Sequence, residues 1–469
     1  MESAAPRLDC AEPVPSAEDL RRAVTLHRNG ELERAAQIYA QVLAGDPANP
    51  DAAHLLGVVR LQQGRPAEAL GLIAVALRAK PRSPGILSNQ GLVLEALGRP
   101  EEAIASYDLA IAHKPQDAEI LENRGNALFR LGRFDDALAG YARALEHAPE
   151  SADVRWNIGL IRLLRGELRE GWEGYEWRWR RASFPDRDRT FAAARWNGEP
   201  LAGATILLHT EQGLGDTIQF VRYAPLMARQ GARVVLEVQA PLRGLLADVP
   251  GVAQVLVRGE TLPAVDVHCP LLSLPRVLAT ELHGIPASVP YLSAPPARIA
   301  QWRARLPETS RPRVGLVWTG NPWHADDRNR SLAFAQLAPL LSVAGIEFIS
   351  LQKDVREPDR AVLASAANVR DLGHALADFA DTAAVIASLD LVVCVDTAVA
   401  HLAGAMAKPV WILLPFVPDW RWLLDREDSP WYPTARLFRQ PGIGDWDSVI
   451  ARVREELTCW AAARIATDV

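Results

Sequence analysis

Three short stretches of this chain carry residues suited to chemistry, and each follows an apolar run. In "EQGLGD" (211–216), Gly213 and Gly215 allow a tight turn and close approach of backbone to a ligand, and Asp216 stands at the start of a helix. Its carboxylate reads either as the cap of that helix or as a base that takes a proton from a hydroxyl. In "WTGNPWHADDRNRSLAFAQL", Arg328 and Arg330 carry the planar fork that matches phosphate oxygens. In "LVVCVDTAVAHLAGAMAKPVWILLP" (391–415), Asp396 and Thr397 head a helix whose free N–H groups attract an anion, with His401 one turn further on. Each feature alone also has a structural reading: Asp396 as cap, His401 as a satisfied core group. Together they point to a phosphate-bearing ligand in a cleft.

The elements that must position them alternate. "TILLHT", "ARVVLEV" and "AQVLVRG" read as strands separated by helical spacing, and a second set begins at "RVGLVWTG" (313–320). This is βαβ alternation, so parallel sheets with covering helices are expected. The reading is a first Rossmann-like domain over 203–300, a proline-interrupted linker over 301–312 and a second such domain over 313–469. Open sheets of this kind bind ligands at the carboxyl ends of their strands, where all three stretches fall. The first loop is too short for a P-loop and lacks its lysine, which argues against an ATPase.

Before residue 203 the chain repeats with a period of 34. Gly30, Gly64, Gly98, Gly132 and Gly166 form one column; Gly57, Gly91, Gly125 and Gly159 another; Pro47, Pro81, Pro115 and Pro149 a third. Ala35, Ala69, Ala103 and Ala137 form a column that Gly171 completes, and Tyr39, Tyr107, Tyr141 and Tyr175 one in which Ile73 substitutes once. Paired antiparallel helices explain this: glycine closes each first helix, proline stops each second one, and small residues permit close packing. The array resembles tetratricopeptide repeats, about five units over 16–181, an α-solenoid that follows a disordered segment 1–15 and leads into a connector 182–202. Asn89, Asn123 and Asn157 share a position on successive first helices, so their amides read either as a ladder for the backbone of an extended peptide or as local bonds between helices. A similar ladder is found in the repeats of eukaryotic O-linked N-acetylglucosamine transferases. Trp172, Tyr175 and Trp179 lie on one helical face and are expected to dock the array onto the next domain.

Bulk properties exclude some classes. A net charge of −6 gives no electrostatic reason to expect nucleic acid as partner. No stretch approaches the 18 uninterrupted apolar residues of a membrane span, and the N-terminus lacks a basic start followed by an apolar core. Cys10, Cys269, Cys394 and Cys459 form no CxxC pair, which suggests reduced thiols in a cytoplasm.

Residues 205–460 resemble the GT-B glycosyltransferases of the bacterial heptosyltransferase-like group, on "GLGDTIQFVRYAPL" and "DTAVAHLAGAMAKPV". The resemblance implies that Asp216 deprotonates the acceptor hydroxyl and that Gly213 and Gly215 shape its loop. It implies that Asp396, Thr397 and His401 contact donor diphosphate, with Arg330 where the group often has lysine. The expected donor is a nucleotide-sugar acting as substrate, with no separate cofactor; no clustered carboxylate motif of the DxD kind stands in a convincing position, so no required metal is expected. Repeats followed by GT-B are similar in layout to transferases that glycosylate proteins, flagellin among them, so the acceptor is expected to be a protein held by the repeats. The alternatives are a non-catalytic scaffold and a lipopolysaccharide or polysaccharide sugar transferase.

Overall fold

The computed structural model describes residues 17–324 and 326–467; the segment 1–15 lies outside the described residues. Contacts divide the chain into two compact units, with the boundary between Arg155 and Trp156. The division falls inside the fifth repeat rather than at residue 181.

The first unit is a series of antiparallel helix pairs, such as Pro84–Ala96 with Pro100–His113 and Ala118–Arg130 with Phe134–His147. The columns have direct physical causes. Gly30, Gly64, Gly98 and Gly132 all sit at φ between 71° and 80°, the left-handed conformation that ends each first helix. Ala35, Ala69, Ala103 and Ala137 are fully buried. The second glycine column leaves room for the tyrosine column: a Cβ on Gly91 would stand 2.4 Å from the Tyr107 ring, and one on Gly125 2.5 Å from Tyr141.

The second unit contains two parallel sheets. The first has the order β1-β5-β2-β3-β4, from β1 (Ala194–Arg195), β2 (Thr205–His209), β3 (Arg233–Val238), β4 (Val252–Val257) and β5 (Val267–Pro270). The second is β11-β10-β9-β6-β7-β8, from β6 (Arg313–Val317), β7 (Glu347–Ser350), β8 (Val369–Asp371), β9 (Leu391–Val395), β10 (Val410–Leu414) and β11 (Ala435–Arg439). β9 and β10 are buried at every position, which is why they read as unbroken apolar runs. The expected connector is not merely a tether: it supplies edge strand β1, and Trp196 N–H continues the pairing to the His268 carbonyl at 2.8 Å.

The end of the fifth repeat docks on the first sheet's loops. Trp172 Nε1 donates to the Thr280 carbonyl at 3.0 Å, and Tyr175 meets Gln212 through its hydroxyl. Arg178 is buried and pairs with Glu211 through both Nε (3.1 Å) and Nη2 (2.8 Å), while Glu176, Ser273 and the Tyr175 carbonyl take its remaining N–H groups. Burial raises the Glu211 carboxyl above its ordinary value against the pull of Arg178, so the pair is costly to break from one side.

Candidate functional site

The Gly-Asp loop leaves the carboxyl end of β2 and enters a helix at Leu214–Phe220. Its shape is held from the next strand's end: Gln239 Nε2 donates to the Gln212 carbonyl at 2.9 Å, and Thr217 links Thr210 to Gln239. Asp216 is not the helix cap. It is the third helical residue, and its Oδ2 accepts the N–H of Gly213 at 2.7 Å. Its Oδ1 faces the guanidinium of Arg421, which donates to it through Nη2.

Gly215 sets the distance between the halves of this unit. A Cβ there would lie 2.7 Å from the His401 ring and 3.4 Å from the Ala398 Cα. A bare glycine is what allows the Asp216 helix to rest on the first turn of the helix Ala398–Ala405.

That second helix follows β9. Thr397 is its N-cap residue in extended conformation, yet its side chain makes no cap bond, and Oγ1 is buried without a hydrogen-bond partner. Arg330 reaches the same turn and donates through Nη1 to the Asp396 carbonyl at 3.0 Å. Its guanidinium lies over Gly320, where a Cβ would meet it at 2.6 Å, and its buried Nε makes no hydrogen bond, Asp327 standing 3.7 Å away. Two residues at this helix entry thus each keep a buried polar atom that makes no hydrogen bond, and the helix N-terminus between β9 and Ala398 is suited to an oxyanion. Arg328, the other arginine of that loop, is exposed.

Asp396 is buried, and its carboxyl is pushed up to about 6, by burial first and by Asp419 beside it second; Arg330 and Arg421 pull the other way. The sign follows from the raised value. Protonation favours the folded state, so this group's contribution is present below 3.8, falls as pH rises toward 6 and is gone above it. Asp396→Asn removes that loss. Thermal unfolding at pH 7.5 is expected to show the variant as stable as wild type or more stable, by up to about 3 kcal/mol. The advantage should vanish at pH 4; a variant less stable than wild type at both pH values would contradict the assignment.

His401 departs from the sequence expectation. It is buried: Nδ1 is hydrogen-bonded to the Tyr432 hydroxyl at 2.9 Å, the ring stacks on Trp422 at 5.3 Å, and Gly215 covers its edge. Burial, then Arg421, hold it well below its ordinary value, so it is neutral at pH 7. Its Nε2 is 4.0 Å from Asp396 Oδ1. In this geometry His401 is a packing and polar-bridging residue rather than an open phosphate donor.

Of the three asparagines, one has a bond between repeats. Asn89 spends its Nδ2 on His54 Nε2 at 2.7 Å, a bond to the preceding repeat; burial lowers His54, which keeps the ring neutral and able to accept. Asn123 is half-buried in the same unit, whereas Asn157, also half-buried, belongs to the second unit.

The turn after β10 brings residues that sequence reasoning passed over. Arg421 also donates to Gln219 Oε1 (2.7 Å) and to Asp419 Oδ1 (2.9 Å), and lies over the Trp420 ring at 4.2 Å. Arg222 is buried without a carboxylate partner: it donates to the Trp431 carbonyl (2.9 Å) and the Tyr291 hydroxyl (2.8 Å) and lies over the Tyr432 ring.

Residues 26–87, 88–152 and 122–170 match tetratricopeptide-repeat families. Residues 331–413 match Glycosyltransferase family 9 (heptosyltransferase). The chain is thus similar to tetratricopeptide-repeat proteins over 26–170 and to the glycosyltransferase family 9 model over 331–413. It is 28% identical over 329 residues to Protein FlbA of Caulobacter vibrioides, a match covering 65% of this chain and 54% of FlbA, so the chain spans about half the length of that relative. Among solved structures it is similar to TTC0263, a tetratricopeptide-repeat protein of Thermus thermophilus (24% identity, 34% of this chain, 87% of that chain, TM-score 0.31). It is also similar to YrrB, described as having an unusual peptide-binding site (26% identity, 34% of this chain, 83% of that chain, TM-score 0.30). Among the described residues no helix is long and apolar enough to cross a membrane.

Proposed function

We propose that this protein transfers a sugar from a nucleotide-sugar to an acceptor hydroxyl with inversion at the anomeric carbon. The observation that carries the reading is that Arg330 bonds the turn on which Thr397 stands, through the Asp396 carbonyl, while Thr397 Oγ1 and Arg330 Nε are both buried and make no hydrogen bond. The donor diphosphate sits on the N–H groups at the start of the Ala398–Ala405 helix, with Arg330 and Thr397 as side-chain donors. Asp216 takes the proton of the acceptor hydroxyl. The acceptor oxygen bonds to the anomeric carbon as the bond from that carbon to the phosphate oxygen breaks, and its electron pair leaves with the nucleoside diphosphate. Arg330 and the helix N-terminus stabilise the charge that develops there, a task a divalent metal performs elsewhere, so no metal and no separate cofactor is included.

The repeats favour a protein acceptor, since stacked helix pairs present an extended surface for one. Asn89, Asn123 and Asn157 are proposed as contacts for it, Asn89 with one N–H already committed to His54. A carbohydrate acceptor is the second reading, favoured by that commitment and by the heptosyltransferase family match. The test is release of nucleoside diphosphate from a panel of UDP-, GDP- and ADP-sugars, with bacterial cell extract as the acceptor source. One donor class should be turned over by wild type and not by Arg330→Gln. Turnover of none would leave the scaffold reading in its place.

A further inference from the structure

Arg421 has four features that a residue serving packing alone does not need together. It is buried, with 7% of its side chain exposed. Each of its three guanidinium nitrogens meets a different acceptor: Nη2 the Asp216 carboxylate, Nε the Gln219 amide oxygen at 2.7 Å, Nη1 the Asp419 carboxylate at 2.9 Å. Its plane is held against the Trp420 ring at 4.2 Å. And the contacts cross the unit: Asp216 and Gln219 lie on the helix after β2, whereas Asp419 and Arg421 lie on the turn after β10.

We propose that Arg421 is the positioning residue for the Asp216 base, fixing the direction of its carboxylate only when the two α/β halves are together. This rests on the sugar-transfer reading of the site. A base must point at the proton it removes, and a carboxylate held at one oxygen still rotates. Gly213 N–H fixes Oδ2 from within the loop; Arg421 fixes Oδ1 from the other half. With both held, the plane of the carboxylate is fixed. Three of Arg421's five N–H groups are spent on these acceptors, one from each nitrogen, whereas the Nε of Arg330 makes no hydrogen bond. The turn itself is braced by the last repeat: the Trp420 ring lies 5.2 Å from Trp172 and 5.9 Å from Tyr175, and Tyr175 also bonds Gln212 in the Asp216 loop. Helix Leu168–Tyr175 therefore supports both the base loop and the residue that aims it.

The proposal separates two quantities. Thermal shifts with UDP, GDP, ADP and CMP report donor binding; release of nucleoside diphosphate from the matching sugar reports turnover. Arg421→Gln should cut kcat by about 30- to 100-fold, the scale of a misplaced reacting group, with the nucleotide-induced shift retained. Arg421→Lys should recover part of kcat, since one charged donor still reaches a carboxylate. Adding Arg421→Gln to Asp216→Asn should lower kcat no further, because a residue that acts only through Asp216 has nothing left to aim. Wild-type kcat in Arg421→Gln overturns the proposal, as does a full multiplicative loss in the double variant. Loss of the nucleotide shift in both Arg421 variants also overturns it, making Arg421 a donor ligand. If Arg421→Gln does not fold, the lysine variant decides: kcat equal to wild type contradicts the role. Absence of any shift or turnover in the wild type sinks the sugar-transfer reading and this proposal with it, an outcome distinct from the others.

Discussion

Asp216→Asn lowers sugar-nucleotide turnover by about 10²- to 10⁴-fold, the contribution of a positioned base, and leaves nucleotide binding intact. The substitution keeps the size of the side chain and one oxygen. That oxygen can still accept the Gly213 N–H, so the loop retains the bond that now measures 2.7 Å. The amide nitrogen then faces Arg421, a donor against a donor, where a carboxylate oxygen had accepted. Some loss of thermal stability follows, because a buried guanidinium loses one of its partners. Asp216 does not touch the buried Thr397 Oγ1 and Arg330 Nε that are proposed to receive the diphosphate, so their affinity should not follow. A variant that turns over at the wild-type rate would remove Asp216 from the chemistry and leave it a residue that only holds the Gly213 N–H at the helix start.

Trp420→Ala is expected to cost about 3–5 kcal/mol, the range for deleting a fully buried large aromatic side chain. Trp420 is 4% exposed and lies in a cage of Trp172, Tyr175, Phe220 and Trp431, with ring centroids between 5.2 and 6.4 Å away. It joins the repeat end, the first α/β half and the stretch after β10, so its removal leaves a void that no single neighbour can fill. It also removes the face on which Arg421 lies. Thermal unfolding should show the transition of the second unit falling by roughly 10 °C, at about 2–4 °C per kcal/mol for a body of this size. Trp323→Ala is the control: that ring is 91% exposed, and its loss should stay within about 0.5 kcal/mol of neutral. Equal effects at the two positions would contradict the cage.

Legibility in the sequence tracks the range of each interaction. The repeats were legible because every column answers a local requirement, a left-handed glycine or a tyrosine needing a bare neighbour, renewed every 34 residues. The strand-end loops were legible because glycine, a helix start and an apolar run are adjacent in the chain. Arg421 with Asp216 and Arg222 with Trp431 were not, since each pair is about 200 residues apart and no local pattern records a tertiary contact. His401 carried a different ambiguity. A histidine one turn into a small-residue helix looks the same whether it faces a ligand or a tryptophan, and only the packing of Trp422 and Tyr432 on it decides. Asn89 was ambiguous for the same reason: its partner, His54, lies in the preceding repeat. The domain boundary moved because Trp172, Tyr175 and Arg178 are repeat residues by period and α/β residues by contact.

The central claim is that a nucleotide diphosphate binds where Arg330 meets the Thr397 turn. The direct measurement is the thermal shift of wild type, Arg330→Gln and Thr397→Val with UDP, GDP, ADP and CMP. One diphosphate at about 100 times its dissociation constant should stabilise the wild type by roughly 2.7 kcal/mol, with most of that lost in both variants. No shift with any nucleotide, or a shift that both variants keep, would contradict the claim.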